Sequence, residues 1–347
     1  MTRILFRVDA GNNVGLGHLQ RCLSLASTLA RNGLVCEFLS SGEFEVQKRI
    51  SDSGFHSHIL QDEPLGSNAE CEQVIRIASQ RNCGMIVVDS YHVWGAYLQS
   101  LRDSGAVLVS IDDSAKFASP AHLIINGSVH AKSLSYTSIY PETELLLGPE
   151  FSMLREEFFN IELKQSTDVV TQVLVTMGGA DGMNLTPIII KLLDGISGDF
   201  HVTVVVGPFF RNVSNVYESA EQSSRNVNLI REPANLKDLI TKADIAISAG
   251  GQTLYELAVT GTPTIAIRVA DNQIDQMAEF GRLGTIVPLV FSGRPQLDSD
   301  LCDVINNLLL SKDSRLLMSK SGQDLIDGKG TLRCATAIQE MCKTNNS

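Results

Sequence analysis

The sequence predicts an α/β protein of two domains, each a parallel sheet with helices on both faces. Three observations carry this expectation. Short apolar runs alternate with stretches of helical periodicity along both halves, the pattern of repeated βαβ units. The alternation pauses over a polar stretch, residues 148 to about 165, and then restarts. Three of the apolar runs end in glycine-rich turns that lead into a helix, at residues 11–17, 178–179 and 250–251.

In the first half, residues 4–6, 35–39, 85–88, 107–111 and 123–125 are mostly apolar and predict strands, with 145–147 as a further one. Segments 18–32, 43–53, 68–81 and 94–104 predict helices. In the first of them Leu19, Cys22, Leu23, Ala26, Leu29 and Ala30 repeat at helical spacing. After the connector, strands are expected at 173–177, 202–206, 227–230, 245–248, 264–267 and 286–288. Helices are expected from about 184 and near 235–242, 252–260, 272–282, 297–310 and 312–323. The chain then divides into domains 1–155 and 165–347, with the tail after about 330 as a helical extension of the second. Two domains suit 347 residues, at roughly 100–200 residues each. Open α/β sheets bind ligands beyond the carboxyl ends of their strands. Two such Rossmann-like domains are therefore expected to face a common cleft that holds the ligand.

Composition narrows the function. With 44% apolar and 19% charged residues the chain can bury sizeable cores. Net charge is −11 and no basic stripe is present, so nucleic acid is not an expected partner. The seven cysteines contain no C-x-x-C pair, which argues against a zinc site and for reduced thiols. No run approaches the ~20 apolar residues of a membrane span, and the amino terminus has no secretory h-region. A soluble cytoplasmic protein is expected.

The chemistry concentrates at the glycine turns. In the first, Gly11, Gly15 and Gly17 precede His18 where a helix begins, with Arg21 one turn later. Glycines let backbone approach a ligand, and a helix start offers free N–H groups and partial positive charge. The alternative is a packing corner whose histidine only caps. The second motif, residues 248–256, brings Ser248, Gly250, Gly251, Gln252 and Thr253 to a strand end, groups suited to phosphate. Glu256 either accepts from the two hydroxyls of a ribose or closes a Thr253-x-x-Glu256 capping box. The third motif joins Gly178, Gly179, Asp181 and Asn184 at the first strand of the second domain. Asn272 and Gln273 begin another helix, and Asp271 there suits an N-cap.

Other classes fit less well. The first loop reads G-x-x-x-G-x-G and Glu37 lies inside the second strand, so the dinucleotide fingerprint is missing. No Walker A sequence occurs. Asp89, Ser90, Tyr91 and His92 follow one predicted strand, Asp112 and Asp113 a second, and Asn126 a third. Adjacent carboxylates such as Asp112 and Asp113 serve more often as a loop cap than as a metal site. His56, His58, His122, His130 and His201 show no ligand spacing. No metal and no cofactor are expected.

Taken in order, the motifs resemble the PseG/SpsG family. They are R-x-D-A…G-x-G-H-x-x-R-C-L-x-L-A from Arg7, D-S-Y at Asp89, I-D-D at Ile111, and L-L-G-P-x-F-x-x-L-R-x-E-F from Leu146. M-G-G-x-D from Met177, S-A-G-G-x-T-x-x-E-L from Ser248 and A-D-N-Q from Ala270 complete the set. The resemblance covers about residues 3–285. It implies a fold like the MurG-type GT-B glycosyltransferases. That family includes the UDP-2,4-diacetamido-2,4,6-trideoxy-β-L-altropyranose hydrolase of pseudaminic acid synthesis, which points to surface polysaccharide and flagellin glycosylation. The resemblance implies that water attacks the anomeric carbon of a UDP-sugar and releases UDP. It carries His18 over as the residue next to that carbon, Tyr91 as a residue near the sugar, and residues 248–256 as the UDP cradle with Glu256 on the ribose.

Residue chemistry fits. A helix start disfavours a cationic imidazole, and neutral imidazole can take a proton from water, so His18 is expected as general base. UDP is a good leaving group, and the helix start after Gly250 and Gly251 would stabilise its growing charge without a metal or general acid. Two other classes use the same parts: a GT-B glycosyltransferase that passes the sugar to an acceptor, and a non-catalytic nucleotide-sugar-binding module.

Overall fold

The computed structural model describes residues 2–344 except 12–13, 61–63, 163, 165–166, 234 and 292. It divides into two compact units, Met1–Glu156 with Lys329–Ser347, and Glu157–Gly328.

The first unit contains β1 (Arg3–Val8), α1 (Gly17–Arg31), β2 (Val35–Ser40), α2 (Phe44–Asp52), β3 (His56–Ile59), α3 (Asn68–Gln80) and β4 (Cys83–Asp89). α4 (Gly95–Asp103), β5 (Val107–Ile111), β6 (Leu123–Asn126) and β7 (Glu144–Leu147) follow. The seven strands are parallel, in the order β3-β2-β1-β4-β5-β6-β7. β5 and β6 are buried at every position. This is what a parallel strand covered by helices on both faces requires, and it explains why these strands read as largely apolar runs without polar alternation.

The second unit contains β8 (Gln172–Thr176), α5 (Thr186–Asp194), β9 (His201–Val206), α6 (Val213–Gln222), β10 (Val227–Arg231), α7 (Leu236–Lys242) and β11 (Ile245–Ala249). α8 (Thr253–Val259), β12 (Thr264–Arg268), α9 (Ile274–Arg282), β13 (Ile286–Val290), α10 (Arg294–Leu310) and α11 (Lys312–Leu325) complete it. Its six parallel strands run β10-β9-β8-β11-β12-β13. Among the described residues no helix is long and apolar enough to cross a membrane.

Two elements escape the sequence reading. β3 reads His-Ser-His-Ile and is an edge strand with little burial. α6 carries few apolar residues and buries only Val216 and Ser219.

The last helix, α12 (Gly330–Thr344), differs from expectation in its placement. It belongs to the first unit, not to the second as an extension. Cys334, Ala335, Ala337, Ile338 and Cys342 join Leu19, Cys22 and Ala26 of α1 in one core. The Thr331 hydroxyl donates to the Leu154 carbonyl at 2.7 Å, and Arg333 donates to the Glu150 carbonyl at 2.8 Å. Burying these small side chains against α1 removes apolar surface from water, and that, not chain order, decides where the helix sits. Of the polar connector, residues 163 and 165 lie outside the described residues, as do residues 345–347 of the tail.

Candidate active site

Strand order in the first sheet reverses between β1 and β4, and in the second between β8 and β11. At such a switch point the two central strands send their loops to opposite faces, which opens a crevice at the carboxyl edge. All three glycine turns singled out in the sequence leave a switch-point strand: β1, β8 and β11.

At the first edge, the turn after β1 closes through paired bonds between Gly11 and Gly15, at 3.1 and 2.7 Å. Both glycines have positive φ, 139° and 83°, a backbone that costs glycine little. Asn12 and Asn13 between them lie outside the described residues. α1 then begins at the exposed Gly17 and presents His18 and Arg21, three residues apart on one helix face.

His18 is 8% exposed. Its Nδ1 lies 3.6 Å from Asp89 Oδ1 and has no hydrogen-bond partner. The Tyr91 ring meets it edge-on, with centroids 4.5 Å apart. Arg21 forks onto Asp89 with Nε and Nη2, each at 2.7 Å, and reaches Asp113 with Nη1 at 2.8 and 3.1 Å. The Tyr91 hydroxyl donates to Asp113 Oδ2 at 3.2 Å. One guanidinium thus ties α1 to the ends of β4 and β5. Burial alone would raise the Asp89 carboxyl, but the Arg21 guanidinium and its hydrogen bonds outweigh it and hold Asp89 below the usual range. Burial and neighbouring Asp113 push the Tyr91 phenol up, so it stays neutral.

A second carboxylate lies beside this network. Asp9, just past β1, bonds the fully buried Arg7 and accepts from the Ser90 hydroxyl at 2.6 Å and from His92 Nδ1 at 2.8 Å. Arg7 is held by Glu70 at 2.6 Å, and Glu70 in turn accepts from Tyr97 at 2.9 Å.

At the second edge the glycine turns are held by backbone and amide hydrogen bonds. Gly178 (φ 76°) and Gly179 follow β8, and the Gly179 carbonyl accepts from Phe209 N at 2.9 Å. Near the end of β11 is the buried Ser248, and Gly250 and Gly251 follow the strand. A Cβ on Gly250 would sit 2.3 Å from Met277 Sδ and 3.0 Å from Gln273 Oε1, whereas one on Gly251 would meet nothing within 4 Å. Gln276 of α9 donates to the carbonyls of Gly250 and Gly251 at 2.8 and 3.3 Å and accepts from the Tyr255 hydroxyl at 3.0 Å. Glu256 is 5% exposed in the first turn of α8.

Several sequence expectations change. Asn126 does not present itself to a ligand: it is 0% exposed, its Nδ2 donates to Tyr136 at 2.7 Å, and its Oδ1 accepts from Ser128 N at 2.8 Å. Arg21, next to the first glycine turn, is committed to two carboxylates and organises the edge. Thr253 is the first helical residue and Gln252 the N-cap, without a side-chain cap bond, so the Thr253-x-x-Glu256 box is not formed. Gln273 turns inward to accept from Val269 N at 2.9 Å, while Asn272 is exposed and Asn184 holds φ 52° in the turn before α5. Asp112 is a loop cap, accepting from Ser114 N and its hydroxyl, both at 2.8 Å. Asp181 caps α5 through Leu185 N and Thr186 N.

Sequence spacing also missed a cluster at strands β2 and β3. Glu37, His56 and His58 bring one ligand atom each within 4.8 Å of one another. The Glu37 oxygens already accept from Arg3, Arg81 and His58 at 2.8–2.9 Å, so its lone pairs are taken and two guanidinium charges oppose a cation. Asp89, Asp113, Asp9 and Gln276 were not chosen as site residues either. The first three were visible as acids at strand ends, but Gln276 carried no signal, because its partners lie about 25 residues upstream.

No family model matches the chain. The chain is similar to the spore coat polysaccharide biosynthesis protein SpsG of Bacillus subtilis, with 22% identity over 96% of each chain. It is 21% identical to the UDP-2,4-diacetamido-2,4,6-trideoxy-β-L-altropyranose hydrolase of Campylobacter jejuni, over 78% of this chain and 93% of that one. It is 26% identical to the pseudaminic acid cytidylyltransferase and UDP-2,4-diacetamido-2,4,6-trideoxy-β-L-altropyranose hydrolase of Helicobacter pylori, over 78% of this chain and 45% of that one. The match spans only about half the length of three of its curated relatives, at 55%, 45% and 48%. Among solved structures, MurG of Acinetobacter baumannii superposes with a TM-score of 0.69 at 14% identity, over 98% of this chain and 100% of that one. The fold is GT-B-like, and the chain is a distant homologue of the SpsG and PseG proteins.

Proposed function

We propose that this chain is an enzyme that hydrolyses a UDP-activated amino or deoxy sugar, releasing UDP and the free sugar. The observation that carries the reading is the placement of its glycine turns. Each leaves a strand at a sheet's topological switch point, where open α/β sheets hold ligands. The distant relatives named as UDP-sugar hydrolases support the same reading, and their substrate makes UDP-2,4-diacetamido-2,4,6-trideoxy-β-L-altropyranose the first compound to try, as a step of pseudaminic acid synthesis.

The roles divide between the edges. Gly178, Gly179, Asn184, Ser248, Gly250, Gly251 and Thr253 receive the diphosphate and uridine, with Glu256 accepting from the ribose hydroxyls. Asn272 and Gln273 border that surface. In the first unit Gly15 and Gly17 allow close approach of the sugar, and His18 and Tyr91 touch it at the reacting carbon. Water adds to the anomeric carbon, the bond to the phosphate oxygen breaks with its electron pair on UDP, and a neutral imidazole takes the water proton. No metal is required in this scheme, because backbone N–H groups meet the phosphate charge.

The test is UDP release by the purified chain from a panel of UDP-sugars without any acceptor, with and without EDTA. Release that survives EDTA and falls at least about 100-fold in His18→Ala is the expected result. UDP release that appears only when an acceptor sugar is added would instead make the chain a glycosyltransferase.

A further inference from the structure

A small cavity of about 30 Å³ lies at the carboxyl ends of β4 and β5, and the hydrolysis scheme leaves it unused. Strand register sets its floor. Val88 and Ser110 are direct partners across β4 and β5, so their side chains leave the sheet side by side on one face. Val93 and Phe117, both packed against the core on that face, supply apolar walls. The Tyr91 ring is part of the lining as well, and it meets the His18 ring with centroids 4.5 Å apart. Cavity and catalytic imidazole therefore border the same side chain.

Ser110 calls for a ligand. It is the polar residue of β5, which is otherwise aliphatic, and it is 4% exposed. Among the described residues its hydroxyl has no hydrogen-bond partner. A hydroxyl kept from water and left unpaired is costly, so native interiors rarely hold one without a reason. The other two serine hydroxyls of the lining are already used: Ser90 donates to Asp9 at 2.6 Å and Ser114 to Asp112 at 2.8 Å. Lys116 and Asp112 also border the cavity, and their opposite charges offset, so a neutral occupant fits better than an ion. At roughly 10–15 Å³ for each water-sized group, the space takes about two such groups. A methyl and a carbonyl oxygen, the two ends of an acetyl group, match that size and that lining. An acetamido group one carbon from the anomeric centre carries its acyl carbon about 4 Å away from that centre, a reach comparable with the 4.5 Å between the His18 and Tyr91 rings.

We propose that this cavity recognises an N-acetyl substituent of the sugar. The Ser110 hydroxyl donates to the acyl oxygen, and the methyl packs against Val88, Val93 and Phe117. The assignment rests on the UDP-sugar hydrolase reading and adds the group by which the sugar is selected. A sugar with a hydroxyl at that position leaves the apolar walls unfilled, and a longer acyl group exceeds the space.

The experiment measures UDP release by wild type, Ser110→Ala and Val93→Ala from UDP-2,4-diacetamido-2,4,6-trideoxy-β-L-altropyranose. Analogues carry a hydroxyl or a propanamido group in place of each acetamido group in turn. Ser110→Ala should lower kcat/KM about tenfold for the diacetamido compound. For the analogue whose hydroxyl replaces the recognised acetamido group, the same substitution should change kcat/KM less than about twofold. Val93→Ala should raise the preference for the matching propanamido analogue about tenfold. A loss in Ser110→Ala that is equal for every compound, or no loss, overturns the assignment, and so does an unchanged propanamido preference in Val93→Ala. UDP release only from sugars that lack an acetamido group overturns the assignment and leaves the hydrolase reading standing. No UDP release by wild type from any UDP-sugar overturns the hydrolase reading, and this assignment falls with it.

Discussion

The two carboxyl edges share a topology and differ in chemistry. Each sheet reverses its strand order beside its first strand, and each edge is braced by one side chain from a helix. In the first unit the brace is Arg21 on Asp89 and Asp113, and in the second it is Gln276 on the carbonyls of Gly250 and Gly251. Charge braces the edge where imidazoles and a phenol must be held at fixed angles. Neutral hydrogen bonds to backbone carbonyls brace the edge proposed to receive a diphosphate. The same fold serves both, because parallel strands fix only where loops emerge and leave the loop residues free.

The largest expected effect separates the two braces. Arg21→Met leaves two carboxylates without their partner, one of them buried, and should cost about 3–5 kcal/mol and most of the activity. Gln276→Leu removes neutral hydrogen bonds only and should cost about 1 kcal/mol. Urea unfolding of both variants measures the difference, and equal losses would refute the contrast.

Acid should find the first unit before the second. Burial would raise Glu37, but its bonds from Arg81 and His58 outweigh this and bring its carboxyl from 4.5 down to about 2. Asp9 and Asp89 are lowered as well, against burial, by Arg7 and by Arg21. A carboxylate with a depressed folded value stabilises above its unfolded value and loses that contribution as pH falls toward the folded one. For Glu37 the window is pH 4.5 to about 2, and with its arginine partners partly in water the loss is about 2 kcal/mol. Hydrogen exchange across that range should deprotect β1, β2 and β4 before β8 and β11.

On the second edge, the two adjacent glycines should respond differently. Gly250→Val drives a Cβ into Met277 and Gln273, while Gly251→Ala enters open space. Calorimetry with UDP should show about a tenfold weaker Kd for the first and little change for the second. Equal Kd values would place the nucleotide elsewhere.

Much of this was legible in the chain. Strands such as β5, β6 and β11 are buried throughout and therefore mostly apolar. Glycines with positive φ mark the turn after β1. What was hidden depends on contacts across sequence distance. Asn126 at a strand end looks like a ligand group until Tyr136 and Ser128 claim its amide. The stripe of α12 shows that it is buried but not against which unit. The pairing of His92 with Asp9 joins residues 83 positions apart, and no periodicity reports it.

The smallest expected effect lies in the second unit and has the opposite pH sign. Burial lowers the Lys164 amine from 10.5 to about 8, while its Nζ donates to the Thr262 hydroxyl at 2.9 Å and to the Ala243 carbonyl. Between pH 8 and 10.5 the folded amine has shed its proton and the unfolded one keeps it. The unfolded state then binds more protons, so stability rises with pH over that window. Partial exposure of the side chain limits the gain to about 1 kcal/mol. Exchange of the β11 and β12 amides should therefore slow, after correction for intrinsic rates, between pH 8 and 10 in wild type and stay level in Lys164→Met. A rise that persists in Lys164→Met would assign it to another group, and a fall in wild type would reverse the sign argued for this amine.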